Sequence, residues 1–129
     1  MPYVADTHSL VWFLSGDSQL SSKAKEIFDA TEKGEAIIIV PILVLAEIMF
    51  LCERKHQQPL FSQLVDTLQK GTNYFVYDLG LDIVLAAKDL LQLPDIHDRL
   101  IVATAKIAQS PIITRDRVIK KSNYISVIW

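Results

Sequence analysis

The chain has 129 residues, half of them hydrophobic, which is enough for one domain with an ordinary core and excludes a disordered or collagen-like protein. The net charge of −2 does not by itself indicate a nucleic-acid binder, but residues 99–129 carry six Lys or Arg and one acid, so a phosphate backbone could approach that end. The single cysteine excludes an internal disulfide, the apolar runs are too short for a membrane span and the N-terminus has no signal-peptide core, so we expect a cytoplasmic protein.

Along the chain, β-branched or aromatic runs alternate with amphipathic segments. The runs predict strands at Tyr3–Asp6, Ala36–Val40, Tyr74–Tyr77, Pro111–Thr114 and, at the C-terminus, Ile125–Ile128. Helices are predicted at His8–Leu14 with Thr7 as cap, from Ser21 or Ser22 to Gly34, at about Ile42–Arg54, from Leu60 to Gly71 after a break at 57–59, at about Leu81–Leu91, and from Asp95 to Ala108. This alternation predicts one domain over residues 1–129, a three-layer α/β/α fold with a central, mainly parallel sheet of four or five strands.

Four acidic residues fall at positions that this topology could bring together. Asp6 ends the first strand, Glu47 lies about two turns into the helix after the second strand, and Asp98 is in the first turn of the helix before the fourth strand. Asp116 lies two residues beyond that fourth strand. Because open parallel sheets bind ligands at the carboxyl ends of their strands, we expect the four carboxylates to be able to converge there.

Each acid also has a local explanation. Asp6 can cap the helix that follows it, Asp98 can share a capping arrangement with Asp95, and Asp116 can be a turn or cap residue. Glu47 is harder to explain in this way, because its apolar neighbours predict that it is at least partly buried, and an isolated buried glutamate is rare. A single metal site would explain all four acids, and we favour it.

The residue types indicate which metal and which chemistry. Carboxylates without thiolates select hard cations such as Mg²⁺ or Mn²⁺, and the three histidines fall in different segments without a zinc-ligand spacing. Such a cation lowers the pKa of a bound water and stabilises charge on a phosphodiester. We expect the helix N–H groups near Asp98 to favour its charged form.

Four segments, in this order and spacing, resemble the PIN domain, specifically the small VapC-type toxins of toxin–antitoxin pairs. They are Val4–Trp12, Leu45–Ile48, His97–Ala105 and Ile113–Asp116. The resemblance implies a metal-dependent endoribonuclease with Mg²⁺ or Mn²⁺, an RNA substrate, a cognate antitoxin and usually a homodimer. It also implies that Asp6, Glu47, Asp98 and Asp116 are the catalytic metal ligands, with Thr114 in support.

The resemblance leaves three points open. Family members often carry a hydroxyl residue at the start of the helix that holds the second acid, and the segment 40–44 has none, so the group that orients Glu47 is not identified. Asp95 is interpreted as an N-cap that reaches the site only through water. Arg99, Arg115 and Arg117 are candidate RNA phosphate contacts, with solvation or local pairing as the alternative for each.

Three other functions remain as alternatives. A PIN-like DNA nuclease would use the same chemistry, because metal-assisted hydrolysis does not require a 2′-hydroxyl. A receiver-like, Mg²⁺-binding signalling module would need a phospho-accepting aspartate after a middle strand, and Asp78 fits this role poorly. A binding module could keep the fold without the chemistry.

Overall fold

The computed structural model describes residues 2–70 and 73–129. Five strands form one sheet in the order β3-β2-β1-β4-β5, and every neighbouring pair is parallel. The strands are β1 (Pro2–Ala5), β2 (Ile37–Pro41), β3 (Tyr74–Tyr77), β4 (Ile112–Ile113) and β5 (Val127–Ile128). The helices of the described residues are α1 (Thr7–Ser15), α2 (Ser22–Glu32), α3 (Ile42–Arg54), α4 (Gln58–Gln69), α5 (Leu81–Ala87), α6 (Ile96–Ile107) and α7 (Arg117–Ser122).

The helices cover both faces of the sheet. Helices α1 to α4 pack against one another, and α5 packs against α6. Because crossovers between parallel strands are right-handed, the connections that run from β1 through β2 to β3 lie on one face, and the returning connection through α5 and α6 lies on the other. This confirms the predicted α/β class with a parallel central sheet.

The core lies between these layers and explains why the central strands are so apolar. Val4, Ile38, Val40, Ile112 and Ile113 are fully buried, as expected for strands that are covered on both faces. None of the helices in the described ranges has the length and apolar character needed to cross a membrane.

Several predicted element boundaries were wrong. Helix α4 begins at Gln58 and includes Pro59 in its first turn, where the missing N–H of proline costs nothing, so Gln57–Pro59 is not a break. Helix α5 ends at Ala87 rather than near Leu91. The predicted stop of α4 at Gly71 lies outside the described residues.

Two further differences concern helix starts. The N-cap of α1 is Asp6 and not Thr7, because the Asp6 side chain accepts the hydrogen bond from the Ser9 N–H. The short helix α7 was not predicted, and its N-cap is Asp116.

The strand order creates a crevice between β1 and β4. The chain leaves β1 toward β2 on one side and later returns to β4 on the other, so the carboxyl ends of β1 and β4 flank a point where the direction of winding reverses. Ligands of open parallel sheets bind at such a point. Asp6 follows β1 directly and Asp116 follows β4 after two residues.

Candidate active site

One pocket at this crevice contains all four acids singled out from the sequence. Its acidic lining is Asp6, Glu47, Asp95, Asp98 and Asp116. The remaining lining residues are Thr7, His8, His97, Ile101 and Ile119. The ends of β1 and β4 and the helices α3 and α6 therefore contribute acids to one concentration of negative charge.

Asp6 is fixed by the start of α1. Its Oδ1 accepts the Ser9 N–H at 2.9 Å, while the Ser9 hydroxyl donates to the Asp6 carbonyl at 3.2 Å. Burial raises the pKa of the Asp6 carboxyl, although hydrogen bonds from Thr114 and Ser9 lower it. The capping explanation of Asp6 is therefore correct, but the same carboxylate also lines the pocket.

Glu47 is held by two side chains from other helices. The Thr7 hydroxyl donates to Glu47 Oε1 at 3.2 Å, and His97 Nδ1 lies 3.6 Å from Oε2. The Glu47 side chain is 30% exposed, which confirms that it is partly buried. Although α3 has no hydroxyl at its start, Thr7 of α1 supplies one to Glu47 from across the pocket.

Asp98 experiences both burial and the negative charge of the other four acids of the pocket. Burial, and after it the negative charges of neighbouring acids, together raise the pKa of its carboxyl to about 6. In order of effect, these neighbours are Asp116, Asp95, Glu47 and Asp6. The expectation that helix N–H groups favour the charged form of Asp98 was therefore wrong. The backbone N–H of Asp98 donates to Asp95 at 3.2 Å, and burial and repulsion by neighbouring acids outweigh the effect of the helix dipole on the Asp98 pKa.

Asp116 and Thr114 connect β4 to the pocket. Asp116 Oδ1 accepts the N–H groups of Val118 and Ile119 at 2.8 and 3.1 Å, so the cap explanation of this residue also holds. The fully buried Thr114 accepts the Asp116 N–H on its hydroxyl at 3.0 Å and hydrogen-bonds to the Asp6 carboxylate. Thr114 therefore links the two acids that flank the crevice.

Asp95 is the N-cap of α6, as predicted. Its Oδ1 accepts the N–H groups of His97 and Asp98 at 2.7 and 3.2 Å. Asp95 also lines the pocket directly, so its charge acts on Asp98 without an intervening residue.

The donor set fits a hard divalent cation in its chemistry. Four carboxylates share the pocket, and their mutual repulsion, visible in the raised pKa of Asp98, is the kind that such a cation offsets. Within residues 2–70 and 73–129, no three His, Cys, Asp or Glu side chains are close enough together to form a ligand cluster as they stand. Direct ligation would therefore require carboxylates to rotate toward one another.

The three candidate arginines have different environments. Arg99 donates through Nε to the carbonyl of Leu93, which holds the loop before α6. Arg115 packs over the Trp12 ring with its guanidinium carbon 4.5 Å from the ring centroid. Arg117 is exposed in the first turn of α7. Arg115 also lines a pocket next to the acids.

Sequence reasoning missed the roles of Thr7 and His97. Thr7 was interpreted as a helix cap, and the histidines were set aside because they lack metal-ligand spacing. Their contacts with Glu47 join residues 40 and 50 positions apart, so no local pattern could have revealed them. The only available signal was the position of each beside an acid, Thr7 after Asp6 and His97 before Asp98.

The fold and pocket define a class of protein, a parallel α/β domain with an acidic site at the point where the sheet winding reverses. The family model of the PIN domain matches residues 3–123, and the chain belongs to this family. The family resemblance read from the sequence is thereby confirmed. A comparison with curated proteins finds no match.

Solved structures with this fold include proteins of toxin–antitoxin pairs. VapBC2 from Rickettsia felis, bound to a DNA fragment from its promoter, matches with a TM-score of 0.75 at 16% identity over 99% of this chain and 98% of that chain. A toxin–antitoxin complex from Klebsiella pneumoniae matches with a TM-score of 0.70 at 21% identity, over 98% of this chain and 96% of that chain. VapC20 from Mycobacterium tuberculosis, a sarcin-ricin loop cleaving toxin, matches with a TM-score of 0.73 at 16% identity, over 97% of this chain and 98% of that chain. At these identities the likeness concerns the fold.

Proposed function

We propose that this protein is a metal-dependent endoribonuclease and the toxin of a type II toxin–antitoxin pair. The observation that carries the proposal is the pocket itself, where burial and four neighbouring acids raise the pKa of Asp98 to about 6. Strongly perturbed acids that share a cleft are typical of functional sites. Membership of the PIN domain family supports the same interpretation.

Asp6, Glu47, Asp98 and Asp116 are the residues that would hold Mg²⁺ or Mn²⁺. When bound, the cation supplies an activated water and charge stabilisation at the phosphodiester. The protein positions the ligands. Helix N-termini hold one oxygen of Asp6 and of Asp116, which limits the freedom of both carboxylates.

Thr7 and His97 orient Glu47 in this mechanism. Thr7 contacts Oε1 and His97 contacts Oε2, so each carboxylate oxygen of Glu47 has a neighbour from another helix. A fixed ligand avoids reorganisation during the reaction, which is the main advantage of a preorganised site. Asp95 adds charge beside Asp98 and keeps the first turn of α6 in place.

RNA is the proposed substrate because VapC20, which shares the fold, is a toxin that cleaves the sarcin-ricin loop. A DNA nuclease would use the same pocket, so only a cleavage assay separates this alternative from the ribonuclease proposal. The receiver-like alternative is not supported, because Asp78 follows the edge strand β3, and β2 separates that strand from β1. Cytoplasmic location is part of the proposal.

We also propose an antitoxin partner and a homodimer. The similar structure from Klebsiella pneumoniae is a toxin–antitoxin complex. Large apolar side chains are exposed on and around α5, and an exposed apolar patch is a common mark of an interaction surface. These side chains are Leu79, Leu81, Val84, Leu85, Leu91 and Ile96. Molar mass in solution tests the dimer, and relief of growth arrest by the product of the neighbouring gene tests the antitoxin.

The activity is tested with matched RNA and DNA strands. Purified protein should cleave the RNA with Mg²⁺ or Mn²⁺ and lose this activity in EDTA. Asp98→Asn should abolish cleavage, whereas Asp78→Asn, which removes the same charge in the exposed loop after β3, should leave it unchanged. Undiminished cleavage by Asp98→Asn would refute the proposed site, and cleavage of DNA alone would favour the alternative.

A further inference from the structure

A second pocket adjoins the acidic one and differs from it in charge. The two share Asp6, His8 and Asp116 as a common wall. Beyond this wall, the second pocket is lined by Ser9, Trp12, Gln19, Lys55 and Arg115. Two cations therefore face a cavity that opens beside the carboxylates of the proposed active site.

Arg115 is held in place on two sides. Its guanidinium lies over the Trp12 ring at 4.5 Å, and its Nη1 donates to Gln19 Oε1 at 3.4 Å. Trp12 is only 8% exposed and packs edge-on against Trp129, with ring centroids 5.9 Å apart, so the ring is a fixed support. The bond to Gln19 uses one of the five guanidinium N–H donors, which leaves donors for a ligand.

Neither cation of this pocket has an acidic partner. Across residues 2–70 and 73–129, the ion pairs involve Lys25, Lys70, Lys88 and His97, and neither Arg115 nor Lys55 takes part in one. Arg115 and Lys55 therefore line this pocket without an ion-pair partner among the described residues, while the carboxylates of Asp6 and Asp116 stand on the wall that it shares with the acidic pocket. An anion that enters the pocket would meet both.

We propose that the pocket of His8, Trp12, Gln19, Lys55 and Arg115 binds a backbone phosphate of the nucleic-acid strand, next to the phosphodiester that the acidic pocket cleaves. The proposal rests on the proposed nuclease function for the identity of the strand. A supported guanidinium fork matches two phosphate oxygens, and an ammonium adds a point charge. A stacked base is a poorer occupant, because Trp12 is only 8% exposed and Arg115 already lies over its ring. The shared wall lets one strand occupy both pockets at once.

The experiment measures binding and not cleavage. A short fluorescein-labelled single-stranded RNA is titrated in EDTA with protein that carries Asp98→Asn, and anisotropy gives Kd from about 50 to 200 mM KCl. Adding Arg115→Gln or Lys55→Gln should weaken binding about tenfold, as expected for one charge-assisted contact. Each change should also reduce the slope of log Kd against log salt by about 0.7, the value for one phosphate of a single strand.

Lys33→Gln is the matched control, because Lys33 is an exposed cation at the far end of α2, roughly 16 Å along the helix from the Gln19 loop. It should change neither Kd nor the slope appreciably. Arg115→Lys should keep the slope but bind more weakly than the parent, since the charge stays and the fork is lost. Lys55 makes no side-chain hydrogen bond within the described chain, so Lys55→Gln keeps the test valid even if Arg115→Gln disturbs packing on Trp12.

The outcomes separate this inference from the proposed activity. If Arg115→Gln and Lys55→Gln both behave like Lys33→Gln, or if the parent binds no RNA, the phosphate subsite is refuted. If both variants lose affinity and slope while the wild-type chain cleaves no RNA with Mg²⁺ or Mn²⁺, the subsite stands and the nuclease proposal fails.

Discussion

Asp98→Asn should make the metal-free protein more stable. The Asp98 carboxyl has an ordinary pKa of 3.8 that the fold raises to about 6, so folding disfavours its charged form. Above pH 6 the folded protein carries this charge against burial and neighbouring acids, whereas the unfolded chain does not. In the described residues, the Asp98 carboxylate accepts no hydrogen bond whose loss would offset the gain.

The size of the expected gain in stability follows from the raised pKa of Asp98. A change of about two pKa units corresponds to roughly 3 kcal/mol in the free energy of unfolding at neutral pH. Because Asp98 is only partly buried and solvent screens its neighbours, we discount this to roughly 1 kcal/mol. For a domain of this size, that is a rise in Tm of about 4 °C.

The sign of the pH dependence is fixed by the raised pKa. Between pH 3.8 and about 6 the folded state binds more protons than the unfolded state, so this group makes stability fall as pH rises through the interval. Below it, both states are protonated and the group contributes nothing. The gain in free energy of unfolding of Asp98→Asn over the wild type should therefore be complete at about pH 7.5 and smaller by half or more at about pH 4.5.

Thermal melts in EDTA at these two pH values provide the assay. Asp78→Asn is the control, because it removes the same charge from an exposed loop, and its Tm should match that of the wild type. If Asp98→Asn melts no higher than the wild type at the higher pH, or keeps its full advantage at the lower pH, the carboxylate is not under the electrostatic strain that we infer.

The other predictions concern metal, caps and orientation. Mn²⁺ at about 100 times its Kd should stabilise the wild type by roughly 2.7 kcal/mol, and a melting titration of Asp98→Asn should show a much smaller rise. Asp116→Ala should have a free energy of unfolding about 1 kcal/mol lower than Asp116→Asn in a denaturant titration, because both variants lose the charge and only the alanine loses the cap of α7. Equal stabilities of the two variants would contradict the capping role. Thr7→Val should lower kcat about tenfold by releasing Glu47, Thr7→Ser should restore it, and no rescue by serine would exclude the orienting hydroxyl.

The positions of the acids could be predicted because each depends on a local signal. The apolar runs before Asp6 and Asp116 identify strand ends, and Pro94 and Asp95 identify the start of α6. In a parallel sheet these local features share one edge, so the approximate location of the pocket follows from topology. The sequence therefore predicted which four carboxylates line one pocket, and their role as metal ligands stays a prediction.

The misplaced end of α5 and the missed helix α7 show where local signals fail. Leu90 and Leu93 are buried at helical spacing, so the pattern continued past the end of α5 at Ala87, although these residues reach the core from the loop that follows. Helix α7 has six residues and begins at a cap that was interpreted mainly as a ligand. Short elements such as α7 depend on tertiary packing more than on their own pattern.

The contacts that orient the site could not be predicted for a different reason. Thr7 and His97 meet Glu47 only because α1, α3 and α6 converge, and that convergence is a property of the packed layers. The second pocket has the same origin, since Lys55 ends α3 and Arg115 follows β4. Sequence identified Arg115 as a candidate but not its support on Trp12.

Asp98 connects stability and function in one testable pattern. A residue kept for the fold loses stability when it is replaced, and activity falls as a consequence. Asp98→Asn should instead raise Tm in EDTA and abolish cleavage in Mg²⁺ or Mn²⁺. The Asp98 carboxylate that destabilises the metal-free fold is also the ligand that the cation requires. Gain of stability with loss of activity in the same variant cannot arise from misfolding, so it would identify Asp98 as an acid retained for its chemistry.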